Sequence, residues 1–245
     1  MTKKQRLDIV ITERGLAPSR ARAQALILAG KVRLRGEVES KAGTQVELDA
    51  EIEIDEPDHP WVSRGALKLV AALDELEISP DGLDCLDIGA STGGFTDVLL
   101  DRGACKVAAV DVGRGQLAWR LRNDPRVVVM EGVNARHLDT VDLPFSAALA
   151  TIDVSFISLR LVVPAVLPHL EAGAWLVCLV KPQFEAGRDQ VGKGGIVRDE
   201  SIRRQVIDDT VRAIEELGLE LVAMIESPIR GQKGNLEELA VFRAP

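Results

Sequence analysis

The sequence predicts an α/β domain built on a mostly parallel sheet, preceded by a small α+β domain. From about residue 61 onward, short apolar runs typical of buried strands alternate with segments of helical periodicity. Such alternation specifies a parallel sheet that helices cover on both faces. Before that point, apolar residues first recur at helical spacing and then alternate with charged residues, which indicates helices followed by a small sheet.

Two helices open the small domain. The first is predicted over residues 6–15, where Leu7, Val10 and Ile11 share a helical face and Gly15 can end the helix. The second begins after Ser19, a residue type that favours the N-cap position. We expect its outward-facing residues to be Arg20, Arg22 and Gln24, and its inward-facing residues to be Ala21, Ala25, Leu26, Leu28 and Ala29.

Period-two patterns predict small half-buried strands over residues 32–38, 46–48 and 52–54. Pro57 and Pro60 then interrupt the chain, as prolines do in linkers. The predicted organisation is therefore a first domain over residues 1–57, a linker over 58–63 and a second domain over 64–245.

The second domain starts with a predicted helix over residues 63–76. Because the seventh strand-like run follows the sixth after a short turn, we expect it to be an antiparallel edge strand. The seven runs lie at 83–88, 106–111, 126–130, 147–153, 175–180, 220–225 and 238–242, and the other helices at 94–102, 116–122, 158–167 and 201–217.

Charge is distributed unevenly along the chain. The net charge is −8, yet residues 1–41 hold ten lysines and arginines against four acids, net +6, which leaves −14 for the remainder. A basic end joined to an acidic body indicates a first domain that binds a polyanion. The alternative is that the charged residues are only solvated at the surface and that their uneven distribution has no role in binding.

Composition excludes several classes of protein. Hydrophobic residues make up 46% of the chain, too many for a disordered protein. We expect a cytoplasmic protein, because no apolar run suits a membrane span or a signal peptide. Three widely spaced cysteines in apolar runs predict buried, reduced thiols, and three histidines without ligand spacing predict no metal site.

A glycine-rich loop, DIGASTGGFTD at residues 87–97, links the first strand of the second domain to a helix. In a parallel sheet such a turn lets a nucleotide-type cofactor approach the backbone. Its glycines, Gly89, Gly93 and Gly94, do not match the dinucleotide pattern G-x-G-x-x-G. Asp111 ends the next strand, where a carboxylate can accept hydrogen bonds from ribose hydroxyls. The alternative is that the glycines serve only a tightly packed turn and that the loop binds no cofactor.

Charged residues also stand at the ends of apolar strands. Asp153, Lys181 and Glu237 occupy such positions, and Lys68 lies among apolar residues of a helix. Strand ends are where parallel-sheet enzymes place catalytic groups, although each residue taken singly suits a cap or a surface pair.

A second glycine cluster, residues 187–194, nearly forms a phosphate-binding P-loop but has Gly194 where a Ser or Thr is required. A lid that touches substrate phosphates through Arg188, Lys193 and Arg198 is one interpretation, and a plain surface loop is the other.

The first 55 or so residues resemble the RNA-binding module of the fourth small-subunit ribosomal protein, through RLD and RGLAPSRARAQALILAGKVRLRGEV. The resemblance implies shape-selective RNA binding, with arginines and lysines on phosphates. The RNA-binding residues it implies are Arg6, Arg20, Arg22, Lys31, Arg33 and Arg35, to which we add Arg64, Arg188 and Lys193 of the second domain.

The glycine loop resembles motif I of S-adenosylmethionine-dependent methyltransferases, and seven strands with an antiparallel last pair resemble the Rossmann-like class I sheet of those enzymes. S-adenosyl-L-methionine is the implied cofactor. The implied binding residues are Asp87, Gly89, Ser91, Thr92, Gly93, Gly94, Asp111, Asn134 and Asp153.

The order Lys68, Asp153, Lys181, Glu237 resembles the Lys-Asp-Lys-Glu tetrad of FtsJ-type ribose 2′-O-methyltransferases. Together with SRGALKL, IDVSFISL, VKPQFEAGR, GKGGIVRD and KGNLEE, it makes nearly the whole chain similar to the TlyA family of ribosomal RNA 2′-O-methyltransferases, often misnamed haemolysins. Two departures are Ala66, where the family commonly has a second glycine, and a choice between Glu237 and Glu238, which the spacing resolves in favour of Glu237.

The resemblance implies methylation of a ribose, expected to be a cytidine ribose, in ribosomal RNA or a ribosomal subunit, by a monomer that needs neither metal nor membrane. A ribose hydroxyl is a poor nucleophile, and we assign Lys181 as its general base. Asp153 and Glu237 would orient the lysines and the hydroxyl, and Lys68 would steer the ribose. The alternative is a non-catalytic RNA-binding ribosome-assembly factor that keeps the methyltransferase shape.

Overall fold

A computed structural model of the chain describes residues 4–17, 19–55, 59–231 and 234–245, without the side chain of residue 188. The chain divides into two compact units, an N-terminal unit, Met1–Pro60, and a C-terminal unit, Trp61–Pro245. The expected domains 1–57 and 64–245 stay predictions. The expected linker, 58–63, begins outside the described residues.

The described residues of the N-terminal unit form two helices and two small antiparallel sheets. One sheet pairs β1 with β4, and the other places β2 between β3 and β5. The elements are β1 (Lys4–Arg6), α1 (Leu7–Glu13), α2 (Arg20–Leu28), β2 (Val32–Leu34), β3 (Glu37–Val38), β4 (Gln45–Glu47) and β5 (Ile52–Ile54). The sequence did not predict β1, because its residues, KQR, carry no apolar alternation.

Helix α2 buries a different face from the one predicted. Ser19 caps it as expected, accepting a hydrogen bond from the Arg22 backbone N–H at 3.2 Å. Its buried residues are Ala23 and Ile27, one helical turn apart, which join the core formed with α1. The predicted inward face was wrong, since Ala21, Ala25, Leu28 and Ala29 are exposed and Leu26 is half-buried.

The C-terminal unit is an α/β domain with a seven-stranded sheet in the order β11-β12-β10-β9-β6-β7-β8. Strands β6 to β10 pair in parallel. The strands are β6 (Asp84–Ile88), β7 (Lys106–Asp111), β8 (Val127–Glu131), β9 (Ala147–Ile152), β10 (Leu170–Val180), β11 (Glu220–Glu226) and β12 (Glu238–Arg243). The helices are α3 (Ala66–Glu75), α4 (Gly94–Asp101), α5 (Trp119–Arg122), α6 (Leu159–Val166), α7 (Pro182–Glu185) and α8 (Glu200–Glu215), with 3₁₀ turns at Ala135–Thr140, Leu167–His169 and Arg188–Gln190.

Helices cover both faces of this sheet, as the alternating pattern predicted. One apolar core joins the sheet to α3, α4 and α5, through residues such as Leu69, Leu99 and Leu121. The other joins it to α6 and α8, through Val163 and Ile207 among others.

The last strand does not lie at the edge of the sheet, so that part of the prediction was wrong. Strand β12 is antiparallel, as expected, but it inserts between β10 and β11 and pairs with both. Its residues from Glu238 to Phe242 are all buried, which explains the placement: an apolar run of this kind is stabilised by neighbours on both sides. Strand β11 is the edge strand beside it, and Glu220, Val222 and Glu226 of β11 are exposed.

Two of the three cysteines match the prediction. Cys85 and Cys178 are buried free thiols, and burial raises the pKa of the Cys85 thiol to about 12. Cys105 is exposed, so its predicted burial was wrong; it precedes β7 at the amino end of the sheet, outside the apolar run. Within the described part of the chain, no helix is long and apolar enough to cross a membrane.

A close backbone crossing joins the glycine loop to the strand beside it. Gly89 follows β6 with φ +83°, and a Cβ atom at this position would lie 2.9 Å from the carbonyl carbon of Asp153 and nearer still to its oxygen. The Asp153 N–H donates to the Ile88 carbonyl at 2.9 Å. Gly89, the first residue after β6, and Asp153, the first residue after β9, are therefore in direct backbone contact.

We predict that Gly89→Ala destabilises the C-terminal unit more than Gly82→Ala does. Both glycines have positive φ, +83° and +72°, so both variants incur the strain of a left-handed alanine, about 1–2 kcal/mol. Only at Gly89 would the added Cβ also clash with backbone atoms, those of Asp153, since nothing lies within 4 Å of a Cβ at Gly82. Urea denaturation should show a further loss of about 1–3 kcal/mol for Gly89→Ala. Equal losses would contradict the crossing.

Candidate active site

A cavity of about 480 Å³ opens at the carboxyl ends of β6, β7, β8 and β9. We call it the loop cavity, because the glycine loop forms one wall. Ligands of open parallel sheets bind at this end of the strands. The residues that line it include Gly89, Ser91, Asp111, Gln116, Asn134, Asp153 and Phe156.

Asp111 is held at the end of β7 by two backbone hydrogen bonds. Its Oδ2 accepts from the Ser91 N–H at 2.8 Å, and its Oδ1 accepts from the Gly113 N–H at 2.6 Å. Each carboxylate oxygen has a second lone pair. The carboxylate is thus fixed in orientation and still able to accept hydrogen bonds from a ligand in the loop cavity.

Asp87 is fully buried beneath the loop rather than exposed in the cavity. Its Oδ2 accepts from the Thr96 N–H at 2.8 Å and the Thr96 hydroxyl at 2.6 Å, and its Oδ1 accepts from the Thr151 hydroxyl at 2.9 Å. Burial raises the pKa of Asp87 to about 6, against the lowering effect of these hydrogen bonds. Asp87 therefore ties the start of α4 to β6 and β9.

The other predicted cofactor residues occupy different surroundings. Thr92 and Gly94 line a cavity of about 130 Å³ on the loop, together with Asp87, Gly89, Ser91 and Asp153. Gly93 lines neither cavity; a Cβ there would strike the side chains of Leu117 and Leu121. Asn134 lines the loop cavity, and its Oδ1 also accepts from the Arg136 N–H at 3.0 Å, the contact of a turn former.

A second cavity, of about 350 Å³, adjoins the first. We call it the lysine cavity. Ser155 and Phe156 line both cavities, so the two meet at these residues. The residues that line the lysine cavity are Lys68, Ser155, Phe156, Lys181, Gln183, Phe184, Gly195, Gly231, Asn235 and Glu237.

Two lysine–carboxylate pairs lie at the lysine cavity, and Lys68, Lys181 and Glu237 line it. Lys68 Nζ lies 2.5 Å from Glu237 Oε2, and Lys181 Nζ lies 2.5 Å from Asp153 Oδ1. Lys181 also donates to the Ser155 hydroxyl at 3.0 Å. Both lysines and Glu237 are buried, and a buried charge is stable only when it is paired. The four residues named from the sequence order are thus brought together in two neutral pairs.

Glu237 and Glu238 have separate partners. Successive residues of a strand point to opposite faces, and Glu238, the first residue of β12, pairs with Arg203 of α8 at 2.8 Å. Glu237 instead meets Lys68 and accepts from the Gln183 amide at 3.3 Å. Of the two glutamates, Glu237 is the one that lines the lysine cavity.

Several residues of this site were missed in the sequence. Ser155, Phe156, Gln183 and Phe184 fall within IDVSFISL and VKPQFEAGR, so their proximity to Asp153 and Lys181 was the available signal. Asn235 gave no signal beyond that of a turn. Its buried amide donates to the Gly195 carbonyl at 2.8 Å and accepts from the Val197 N–H at 3.1 Å, which anchors the segment directly after the second glycine cluster beside the cavity.

The predicted RNA-binding residues are spread over both units. In the N-terminal unit, Arg6 and Arg20 pair with Asp8, Arg33 with Asp55, and Arg35 with Glu47, while Arg22 and Lys31 are exposed. Arg64 and Lys193 are exposed in the C-terminal unit, and the side chain of Arg188 lies outside the described residues. In the ranges that the structure describes, no group of three or more His, Cys, Asp or Glu residues could hold a metal ion.

Comparison with known proteins decides the family. The FtsJ-like methyltransferase profile matches residues 61–244, and the S4 domain profile matches residues 5–52. A Mycobacterium tuberculosis protein named 16S/23S rRNA (cytidine-2'-O)-methyltransferase TlyA is 49% identical over 238 residues, which is 97% of this chain and 89% of that protein. The chain belongs to the TlyA family of FtsJ-like methyltransferases.

Further members of the family carry a different name. Hemolysin A of Brachyspira hyodysenteriae is 43% identical over 242 residues, 97% of this chain and 99% of that protein. The solved structure of a hemolysin homologue from Streptococcus thermophilus is 42% identical, with a TM-score of 0.77, and the match covers 100% of this chain and 90% of that one. The family and the methyltransferase fold predicted from the motifs are confirmed.

We predict a specific pH dependence for Asp87→Asn. Because the pKa of Asp87 is raised in the folded state, its charged form opposes folding, and the wild type should lose stability as pH rises from about 4 through 6. An asparagine keeps an acceptor for Thr96 and does not titrate. The free energy of unfolding of the wild type, relative to the variant, should therefore fall by up to about 3 kcal/mol between pH 4 and 7.

Urea denaturation at pH 4, 5, 6 and 7 measures this difference. Asp101→Asn, which removes an exposed carboxyl group of the same unit, is the reference for loss of a carboxylate at the surface. A difference between wild type and Asp87→Asn that stays constant over the range would contradict the burial-raised pKa.

Proposed function

We propose that the protein methylates a ribose 2′-hydroxyl of ribosomal RNA, with S-adenosyl-L-methionine as the methyl donor. One observation carries the proposal: the loop cavity and the lysine cavity meet at Ser155 and Phe156, so a cofactor and an acceptor can meet there. The M. tuberculosis relative is named for cytidine 2'-O-methylation of 16S and 23S rRNA. A cytidine ribose is therefore the acceptor that we propose.

The loop cavity fits the cofactor. Its volume, about 480 Å³, lies in the range of small-molecule sites. Gly89 leaves the backbone bare where the loop faces the cavity, and Asp111 offers fixed acceptors for ribose hydroxyls. We assign Gly89 and Ser91 to the methionine end, together with Thr92 of the smaller cavity that shares those two residues, and we assign Asn134 to the adenine. Bound S-adenosyl-L-methionine supplies an electrophilic methyl group on a sulfonium.

Lys181 is the general base in this proposal. A ribose hydroxyl attacks effectively only as its proton is removed. The neutral form of the Lys181 amine accepts that proton, and Asp153, 2.5 Å away, stabilises the ammonium that results. The Ser155 hydroxyl, 3.0 Å from Lys181 Nζ, helps to fix the direction of the amine.

Lys68 and Glu237 orient the acceptor ribose. The pair is buried in the wall of the lysine cavity, and Gln183 holds the second oxygen of Glu237. Gly231 leaves room for that carboxylate, because a Cβ at this position would lie 2.8 Å from Glu237 Cδ. A carboxylate held on both oxygens and a lysine held by it can position hydroxyl groups with little further ordering.

Phe156 offers a face for the target base. Its side chain is 87% exposed, and its φ of +65° is a strained conformation for a non-glycine residue. The ring contacts Phe184 at a centroid distance of 4.9 Å and borders both cavities. We propose that a nucleobase stacks here once its ribose enters the lysine cavity. Stacking at one residue is compatible with the scarcity of aromatic residues, 3% of the chain.

We predict that Lys181→Ala lowers the rate of methyl transfer by a factor of about 10²–10⁴, the usual contribution of a general base. Binding of labelled S-adenosyl-L-methionine should change little, since Lys181 lines only the lysine cavity. The control is Lys106→Ala, an exposed lysine at the amino end of β7, which should methylate at the wild-type rate.

The assay uses ribosomal subunits and ribosomal RNA that lack the modification, followed by mass-spectrometric mapping of the label. Label on a ribose 2′-oxygen supports the proposal, and label on a base overturns the chemistry. Transfer by Lys181→Ala at the wild-type rate would remove Lys181 as the base. No label on any RNA from the wild type would favour a non-catalytic RNA-binding assembly factor.

We also predict that Phe156→Ala impairs methylation by loss of stacking, worth about 1–3 kcal/mol per base. Catalytic efficiency toward RNA, kcat/KM, should fall about 5- to 150-fold, while Phe156→Trp retains most of it. Trp119→Ala is the matched control, because Trp119 is 78% exposed on α5 but lines neither cavity. Equal effects of Phe156→Ala and Trp119→Ala would contradict a role at the cavity mouth.

A further inference from the structure

A buried carboxylate, that of Asp8, lies beneath two arginines of the N-terminal unit, Arg6 and Arg20. Asp8, in the first turn of α1, is 0% exposed and accepts four hydrogen bonds from side chains. Arg6 donates to both of its oxygens, each at 3.0 Å. Arg20 donates through Nε at 2.9 Å and Gln24 through its amide at 2.6 Å, both to Oδ2.

This arrangement brings two guanidinium groups to one oxygen. The NH2 group of Arg6 and the Nε of Arg20 both lie within 3.0 Å of Asp8 Oδ2, although they come from residues fourteen positions apart. Two cations at such a separation repel each other unless an anion lies between them. The carboxylate supplies that anion and fixes the plane of Arg6 through a bidentate contact.

Both guanidinium groups keep donors for a ligand. The side chains of Arg6 and Arg20 are 40% and 53% exposed. An arginine has five N–H donors; Arg6 uses two on Asp8 and Arg20 uses one. Two arginines also carry one positive charge more than the single carboxylate neutralises. Remaining donors and excess charge are what a phosphate group requires.

Two further observations separate this cluster from ordinary surface pairs. Arg33–Asp55 and Arg35–Glu47 are contacts of 3.1 and 3.5 Å with partly exposed acids, the kind of pair that contributes little. In contrast, burial would raise the pKa of Asp8, but hydrogen bonds from Arg6, Gln24 and Arg20 outweigh it and hold the pKa well below its usual range. Asp8 thus stays charged whenever the unit is folded.

We propose that Asp8 is the positioning residue that organises Arg6 and Arg20 into one phosphate-binding pair for RNA. The inference rests on the proposed function, since it names how the N-terminal unit holds the RNA substrate. It assigns to an acidic residue a favourable part in binding a polyanion. Charge alone predicts the opposite, that removal of an acid strengthens RNA binding.

The test is Asp8→Asn in the full chain. An asparagine has one acceptor oxygen, and its NH₂ group faces arginine donors, so the two guanidinium groups separate. We expect affinity for RNA to fall about tenfold or more, although the chain gains one unit of positive charge. Glu37→Gln is the matched control: it makes the same charge change at an exposed residue of β3, and it should bind RNA as tightly as the wild type or more tightly.

Binding is measured against 16S and 23S RNA transcribed in vitro and against unmodified 30S and 50S subunits, at several salt concentrations. The plot of log Kd against log salt should become shallower by about one for each phosphate that the variant no longer binds, which loss of stability alone would not produce. Circular dichroism checks the fold of Asp8→Asn, and binding of labelled S-adenosyl-L-methionine checks the C-terminal unit.

If Asp8→Asn does not fold, Arg20→Lys takes its place, since it keeps the charge and removes the planar donor group; weaker binding by that variant supports the proposal. The proposal would be overturned if the variant that is used folds and binds RNA with the affinity and the salt dependence of the wild type. A wild-type protein that binds none of the four RNA substrates would instead overturn the proposed function, and this inference with it.

Discussion

The site depends on the backbone contact between Gly89 and Asp153. The loop that begins at Gly89 and the strand end that carries Asp153 come so close that no side chain fits between them. Asp87, directly before the crossing, ties β6 to β9 and α4 through Thr151 and Thr96. As a result, the wall of the loop cavity and the acid that pairs with Lys181 cannot move independently. A reaction between a bound cofactor and an acceptor needs this kind of fixed relation between two binding sites.

Electrostatics at the lysine cavity follow from burial. Lys68, Lys181 and Glu237 lie in surroundings where an unpaired charge would cost several kcal/mol. Pairing offsets that cost, and it also leaves two amines and two carboxylates in defined directions in the walls of the two cavities. Removing Asp153, or either member of the Lys68–Glu237 pair, leaves a buried charge without its partner. Loss of stability and loss of activity should therefore be measured together at these four positions.

The N-terminal unit uses the same principle with a different balance of charge. Asp8 is buried like Glu237 of the lysine cavity, but it pairs with two arginines rather than one lysine. The surplus positive charge lies at the surface, on the partly exposed side chains of Arg6 and Arg20. One carboxylate beneath two arginines suits the binding of an anion.

Some features of the protein could be read from the sequence alone, because they depend on local pattern. Alternating strands and helices determined the class of the sheet, and the motifs around Lys68, Asp153, Lys181 and Glu237 identified the family. Local pattern could not tell which face of α2 is buried, since docking against α1 selected Ala23 and Ile27. Nor could it show that β12 inserts between β10 and β11, because strand order is set by long-range pairing.

Tertiary structure alone decided the contacts across large sequence separations. Lys68 and Glu237 lie 169 positions apart and yet share a hydrogen bond of 2.5 Å. Phe156 and Phe184 meet at the mouth of the site, and Asp8 gathers Arg6, Arg20 and Gln24. The sequence by itself determined which chemical groups are present and on which elements they lie. Folding decided which of them touch, because contact depends on how elements pack and not on the order in which they occur.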